Sequence, residues 1–281
     1  MYTTIISAEK LKKIINEKNL IIFDCRFDLM NKDKGYSEYL ESHIRGAQYI
    51  NLESDLSSPA SRHSGRHPLP DIRKFTNILN SSGINNNSQI ILYDNENSSM
   101  CSRLWWMLKL VGIENCAVLD GGFSAWNRNK FPVNNSVPDN TIEECLEYSY
   151  NSNYLVDTLS LKEMLSNKES LYLIDARDKE RFLGRIEPLD KKAGHIPGAI
   201  NMPFKNNLDE YGKFKEVSEL KKNFSNINNK NSRDIVNMCG SGVTACHNFL
   251  AMKHCGFNNL KVYVGSWSAW SSYPDTEIEK E

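Results

Sequence analysis

A module that occurs twice leaves a chain little freedom, because whatever fold one copy adopts the other must adopt too. Here Ile21-Ile22-Phe23-Asp24-Cys25-Arg26 recurs as Leu173-Ile174-Asp175-Ala176-Arg177. Ser42-His43-Ile44-Arg45-Gly46-Ala47 recurs as Gly194-His195-Ile196-Pro197-Gly198-Ala199, and Gly121-Gly122-Phe123-Ser124-Ala125-Trp126 as Gly265-Ser266-Trp267-Ser268-Ala269-Trp270. The offsets, from Asp24 to Asp175, His43 to His195 and Gly121 to Gly265, are 151, 152 and 144 residues. Chance can supply one such match. Three in the same order mark a duplication, and 281 residues are enough for two domains of ordinary size.

Each copy reads as alternating helix and strand. Ser7 can cap a helix whose Leu11, Ile14 and Ile15 share one face. In the second copy Ser160 and Glu163 have the spacing of a capping box, ahead of the stripe Leu161, Met164 and Leu165. Apolar runs at Leu20 to Phe23, Ile90 to Tyr93 and Ala117 to Leu119 have counterparts at Leu171 to Ile174, Ile235 to Met238 and Val262 to Val264. Helices are expected around Arg103 to Leu110, stopped by Gly112, and over Val243 to His254, stopped by Gly256. Short, continuous apolar strands between helices point to an α/β fold with mostly parallel central sheets covered on both faces. The polar, proline-bearing stretch from Asn134 to Asn140 suggests a boundary, giving domains at 1–135 and 155–281 joined by an ordered connector at 136–154. The Asn-rich stretches at 85–87 and 226–231 read as surface loops.

The charge balance excludes some function classes. With 34 basic and 35 acidic residues and no basic stripe, neither nucleic acid nor an anionic membrane is expected as partner. No apolar run reaches the 18 or so residues of a spanning helix, so a cytoplasmic location is the expectation. The seven cysteines are Cys25, Cys101, Cys116, Cys145, Cys239, Cys246 and Cys255. Their odd number and scattered spacing form no Cys-x-x-Cys pair for zinc or dithiol chemistry. Most should be small buried apolar residues of a reducing compartment.

One cysteine stands apart by its surroundings. After Ile235-Val236-Asn237-Met238 the second copy continues Cys239-Gly240-Ser241-Gly242-Val243-Thr244-Ala245, where the first has Asp94-Asn95-Glu96-Asn97-Ser98-Ser99. A loop from the carboxyl end of a parallel strand into a helix is where open α/β sheets bind ligands. Two glycines let the backbone curl so that its N–H groups converge, and a thiolate there gains those hydrogen bonds and the positive helix end. A thiol of ordinary acidity, near pKa 8.5, is only a few per cent ionised at pH 7, so such stabilisation decides reactivity.

The loop Cys239-Gly240-Ser241-Gly242-Val243-Thr244 resembles the active loop of the mercaptopyruvate sulfurtransferases of the rhodanese superfamily. Gly194-His195-Ile196-Pro197-Gly198-Ala199 and the Gly-Ser-Trp-Ser-x-Trp ending resemble that family's other signatures, and the likeness spans nearly the whole chain. It implies two tandem rhodanese-like domains, the first non-catalytic and the second bearing the nucleophile. It also implies that the Cys239 thiolate takes sulfur from 3-mercaptopyruvate, releases pyruvate, and passes the persulfide sulfur to cyanide, thioredoxin or a low-molecular-weight thiol. Gly240, Gly242, Val243 and Thr244 would cradle the charged sulfur. Arg181, in Glu180-Arg181-Phe182, matches the family's substrate-binding arginine, a residue suited to gripping a carboxylate with two bonds. Arg103 matches an arginine reaching in from the N-terminal domain, and Asp55, His67 and Ser241 map onto an Asp–His–Ser arrangement around the loop. Neither metal nor organic cofactor is implied. His43, His195, Asp24 and Asp175 belong to the repeated fold motif and read as structural, and the tryptophans as core or cleft lining.

Two departures and two rivals bear on this. Thiosulfate enzymes of the superfamily carry basic residues inside the loop, whereas this loop is uncharged, which favours mercaptopyruvate. Against that, the arginine that follows Glu-Pro in mercaptopyruvate enzymes is missing from Glu187-Pro188-Leu189-Asp190-Lys191-Lys192, so thiosulfate stays open as donor. A cysteine phosphatase would need arginine where Ala245 stands. A non-catalytic binding module would leave Cys239 an inert thiol.

Overall fold

The structure, a computed structural model, describes residues 1–138, 146, 148–167, 170–228 and 233–281. Cys145, part of the boundary stretch and part of the 226–231 loop lie outside the described residues. The chain forms two compact units. The first comprises Met1–Ser58, Leu69–Asn151 and Leu208–Phe214; the second comprises Pro59–Pro68, Ser152–Asn207 and Lys215–Glu281.

In the first unit the elements run β1 (Ile5–Ile6), α1 (Ala8–Ile14), β2 (Leu20–Asp24), α2 (Lys34–Glu41), β3 (His43–Ile44), β4 (Ala47–Tyr49), α3 (Ile72–Ser81), β5 (Gln89–Tyr93), α4 (Ser99–Leu110), β6 (Cys116–Leu119), α5 (Gly122–Arg128) and β7 (Val133–Asn134). Five strands form a parallel sheet in the order β1-β6-β5-β2-β4, and β3 pairs antiparallel with β7. The second unit runs β8 (Leu155–Val156), α6 (Thr158–Ser166), β9 (Leu171–Asp175), α7 (Lys179–Phe182), β10 (Ile200–Asn201), α8 (Val217–Asn223), β11 (Asp234–Met238), α9 (Thr244–His254), β12 (Leu260–Tyr263) and α10 (Ser266–Trp270). Its sheet order, β8-β12-β11-β9-β10, is that of the first unit, and it too is parallel. The duplication legible in the sequence is thus a duplication of topology, with β5 and β11 at the centres.

Those central strands are mostly apolar because helices cover both faces. All of β5 is buried, and β11 is buried from Ile235 onward. Beneath the first sheet Leu11, Ile22, Ile91, Leu119 and Trp126 form one core; Leu161, Leu173, Val236, Met238 and Trp267 form its counterpart. All five tryptophans are buried.

The repeated motifs are the fold's polar pins. Arg26 donates through Nε and Nη2 to Asp24 and through Nη2 to the Ser42 carbonyl at 2.7 Å. Arg177 does the same to Asp175 and to the Gly194 carbonyl at 2.8 Å. Each buried guanidinium also faces an aromatic ring, Phe123 at 4.3 Å and Trp267 at 4.6 Å. His43 and His195 bond backbone carbonyls through Nδ1, Tyr39 at 2.7 Å and Phe182 at 2.8 Å, and stack on those same side chains.

Ser7 caps α1 as expected, accepting from the Lys10 N–H. The cap of α6 differs from the expectation. Asp157 accepts from the Ser160 N–H at 2.8 Å, so the helix starts at Thr158 and Ser160 lies inside it. An aspartate three residues upstream outcompetes the serine because a charged acceptor satisfies the free N–H more strongly. Among the described residues no helix is long and apolar enough to cross a membrane.

Candidate active site

The central strand β11 delivers Cys239 to the sheet's carboxyl edge, and the chain curls at once into α9. The Cys239 Sγ accepts a hydrogen bond from the Gly242 N–H at 3.2 Å. That geometry needs glycine: Gly242 has φ +79°, and a Cβ there would fall 2.5 Å from the Val264 carbonyl oxygen. The loop is clamped from behind by the start of α10. Trp267 N–H donates to the Cys239 carbonyl and Ser268 N–H to the Gly240 carbonyl, both at 2.9 Å, while the Ser266 hydroxyl accepts from the Cys239 N–H at 3.0 Å. Cys239 is 2% exposed, so its sulfur is shielded from bulk water. In such surroundings an N–H aimed at the sulfur counts for more than it would in water. Val243 is buried, and Thr244 is the first residue of α9.

Two guanidinium groups lie against Gly240. A Cβ on this residue would meet Arg66 Nη2 at 2.9 Å and Arg181 Nη1 and Nη2 at 3.3 and 3.5 Å. Arg181 stands on α7, a single turn that follows β9, and is held by Glu187 (Nη2 to Oε1, 2.6 Å) and by Asp190 (Nη2 to Oδ2, 3.4 Å). Arg66 pairs with the other oxygen of Asp190. The stretch after Glu187-Pro188 thus brings a carboxylate against the arginines; Lys192 is turned to the Tyr273 carbonyl at 2.9 Å. Arg66 carries no signal in the sequence beyond its place beside His67.

Pro59–Pro68 belongs to the second unit. Arg66 N–H donates to the Ser268 hydroxyl at 3.0 Å, and His63 Nδ1 lies 3.0 Å from the Ser272 hydroxyl. His67 Nδ1 lies 2.8 Å from the Ser241 Oγ, both side chains buried. His67 and Ser241 therefore meet. Asp55 and Arg103 lie in the first unit. The Asp55 carboxylate accepts from the Asn51 N–H at 2.8 Å and the Ser54 hydroxyl at 2.9 Å. Arg103 is buried on α4, its guanidinium carbon 5.5 Å from the Trp106 ring centroid. Among the described residues no group of His, Cys, Asp and Glu side chains could hold a metal ion.

The duplicated topology agrees with the model of the rhodanese-like domain, which matches residues 7–129 and again 157–273. The chain belongs to the rhodanese family. It is 36% identical over 273 residues to a Pseudomonas aeruginosa protein named "Probable 3-mercaptopyruvate sulfurtransferase", covering 96% of this chain and 95% of that one. It is 31% identical over 293 residues to the thiosulfate sulfurtransferase of Cricetulus griseus, covering 100% and 96%. The crystal structure of SseA from Escherichia coli, a 3-mercaptopyruvate sulfotransferase of rhodanese fold, aligns with TM-score 0.82 at 30% identity over 95% of this chain and 100% of that one. This rhodanese is accordingly a sulfurtransferase by homology.

Burial pushes Cys25 and Cys101 well above the ordinary thiol range, Cys116 to about 12, and Cys255 upward. At the place of Cys239 the first unit has Asp94, whose carboxylate accepts from the N–H groups of Ser98, Met100 and Cys101 at 3.0, 2.9 and 3.4 Å.

Proposed function

We propose that the protein transfers sulfur from 3-mercaptopyruvate through a persulfide on Cys239 to a thiol acceptor or to cyanide, releasing pyruvate. The observation that carries this reading is the Gly242 N–H directed at the Cys239 sulfur, with the Arg181 guanidinium beside the same loop. The thiolate attacks the donor sulfur and the carbon–sulfur bond breaks. Its electron pair stays on carbon as the enolate of pyruvate. The proton leaves the new persulfide for that carbon, a transfer assigned to His67 and Ser241, whose contact at 2.8 Å supports the reading. An acceptor thiolate then attacks the outer sulfur and Cys239 departs as thiolate; with cyanide the product is thiocyanate. Dividing the transfer in two avoids one difficult step. Arg181 orients the donor carboxylate, and the loop at Gly240, Gly242, Val243 and Thr244 holds the charged sulfur. Asp55 and Arg103 enter this scheme through the resemblance alone.

Thioredoxin or a low-molecular-weight thiol is the proposed acceptor, the cytoplasm the proposed compartment, and no metal or cofactor takes part. Thiosulfate is the second reading, since Arg66 adds a further cation beside the loop. Turnover of the two donors compared with one thiol acceptor tests both. Treatment with the preferred donor should add about 32 daltons, one sulfur, to the Cys239 peptide. Absence of that adduct after either donor would refute the persulfide, and full inhibition by a chelator would refute metal-free chemistry.

A further inference from the structure

Ser266 adopts a backbone conformation that a side chain makes costly. It is fully buried at the start of α10 with φ +50°, in the left-handed region that glycine enters without penalty. The matching residue of the first unit is a glycine: Gly122 opens α5 at φ +56°. A Cβ there would fall 2.5 Å from the Asp94 carbonyl oxygen and 2.8 Å from that of Asn95, so the first unit has no room for a side chain. The second unit makes room and bears the strain. Such strain persists only where the surroundings hold it, and it clusters at functional sites.

The hydroxyl shows what the strain secures. In the parallel ladder of β11 and β12, Ile235 N–H donates to the Asn259 carbonyl and Asn237 pairs with Val262. Advancing two residues at a time along both strands, the ladder would next join the Cys239 N–H to the Tyr263 carbonyl. Ser266 Oγ stands between them instead. It accepts from the Cys239 N–H at 3.0 Å and donates to the Tyr263 carbonyl at 2.8 Å. The next residue, Trp267, gives its N–H to the Cys239 carbonyl at 2.9 Å. Consecutive residues of α10 thus fix both polar groups of the Cys239 main chain.

We propose that Ser266 is a positioning residue for the reactive thiol: its hydroxyl, inserted at the open end of the β11–β12 ladder, sets the Cys239 main chain so that the sulfur meets the Gly242 N–H. The inference goes beyond the sulfur-transfer reading and rests on it for the kinetic part of its test. Both hydrogen bonds of the hydroxyl run to main chain, so Ser266 acts on the sulfur through Cys239 and leaves donor affinity alone.

The test compares Ser266→Gly with Ser266→Ala in the full chain. Both lose the hydroxyl, but glycine relieves the left-handed strain and alanine keeps it. Ser266→Gly should therefore melt above Ser266→Ala. Activity should not follow that order. Both variants are expected to slow single-turnover sulfur loading of Cys239 about tenfold, with KM for the donor within about twofold of wild type. In both, the pH of half-maximal Cys239 alkylation should rise by about half a unit, which is about a threefold loss of alkylation rate at a fixed pH below it. A glycine variant that loads sulfur and alkylates like wild type overturns the proposal, whether or not alanine is impaired, because the side chain then serves only the turn. Should neither variant fold, hydrogen exchange of the wild-type Cys239 amide decides. Protection on the level of the Asn237 amide supports the inserted bond, and exchange at the rate of an open loop overturns it. Wild type that gains no sulfur from either donor defeats the sulfur-transfer reading, and the alkylation profiles still judge Ser266. Active wild type with an unimpaired glycine variant defeats this proposal alone.

Discussion

The two units place the same loop at the end of the same central strand and put it to different use. After β5 the carboxylate of Asp94 takes up three N–H groups, those of Ser98, Met100 and Cys101. After β11 the sulfur of Cys239 receives the Gly242 N–H. Both loops are clamped alike, Phe123 N–H donating to the Asp94 carbonyl at 2.8 Å and Trp267 N–H to the Cys239 carbonyl at 2.9 Å. Both turn through a left-handed residue just before the helix, Ser98 at φ 57° and Gly242 at φ 79°. The fold therefore directs backbone N–H groups at the side chain of this first loop residue twice. In the first unit that residue is the aspartate Asp94; in the second it is Cys239, the proposed nucleophile. What separates the two loops is the residue at the first position, a carboxyl in one and a thiol in the other.

The strongest way to break this comparison is Cys239→Ser. Sulfur transfer should fall by at least about 10³-fold, while the melting temperature stays within a few degrees of wild type. Residual transfer by the variant would mean that another thiol carries the sulfur. Next comes Arg181→Ala, which should lower kcat/KM for 3-mercaptopyruvate by about 30- to 100-fold, the usual range for a lost charge-assisted contact. Equal kinetics in wild type and variant would reassign Arg181 to the ion-pair network with Glu187 and Asp190. Gly242→Ala probes the cradle itself. The added methyl must push against the Val264 carbonyl at a positive φ, so stability should drop by about 1–3 kcal/mol in denaturant melts. Sulfur loading of Cys239 should slow about tenfold as the N–H is displaced. Normal loading in a folded Gly242→Ala protein would show that this N–H does not matter to the chemistry.

Much of this organisation can be read from the chain, and the remainder cannot for identifiable reasons. The strands are legible because a sheet buried on both faces favours apolar runs, as in Ile90-Ile91-Leu92-Tyr93 and, broken only by Asn237, Ile235-Val236-Asn237-Met238. Cys239 was legible because it breaks the symmetry between two otherwise matching loops. The α6 cap was not, since Ser160 and Glu163 satisfy the capping-box spacing equally well one turn inside a helix that Asp157 starts. Arg66 was missed for a different reason. Its partners Ser268 and Asp190 lie 202 and 124 residues away, and no local pattern reports which sheet a proline-flanked loop docks against. In the sequence Asp190 marks only a stretch where an arginine is lacking. Its contacts with Arg66 and Arg181 give the position a content that composition alone does not carry.

The finest test of the comparison lies in the first unit and is a matter of pH. Burial raises the Asp94 carboxyl above the ordinary range, against the pull of its three N–H donors. The folded chain therefore holds this proton more tightly than the unfolded chain, where an aspartate titrates near 3.9. Protonation favours the fold. This contribution is complete below the unfolded value and is lost as pH rises through the raised one, so across that window Asp94 gives stability a downward slope with pH. Removing the carboxyl in Asp94→Asn should flatten that slope, seen as a smaller loss of denaturant midpoint between mildly acidic and neutral pH than in wild type. A steeper loss in the variant would mean that the three N–H donors outweigh burial and that Asp94 is a stabilised anion. The first loop would then hold charge by the same means as the second, and the difference between the units would reduce to the chemistry of one side chain.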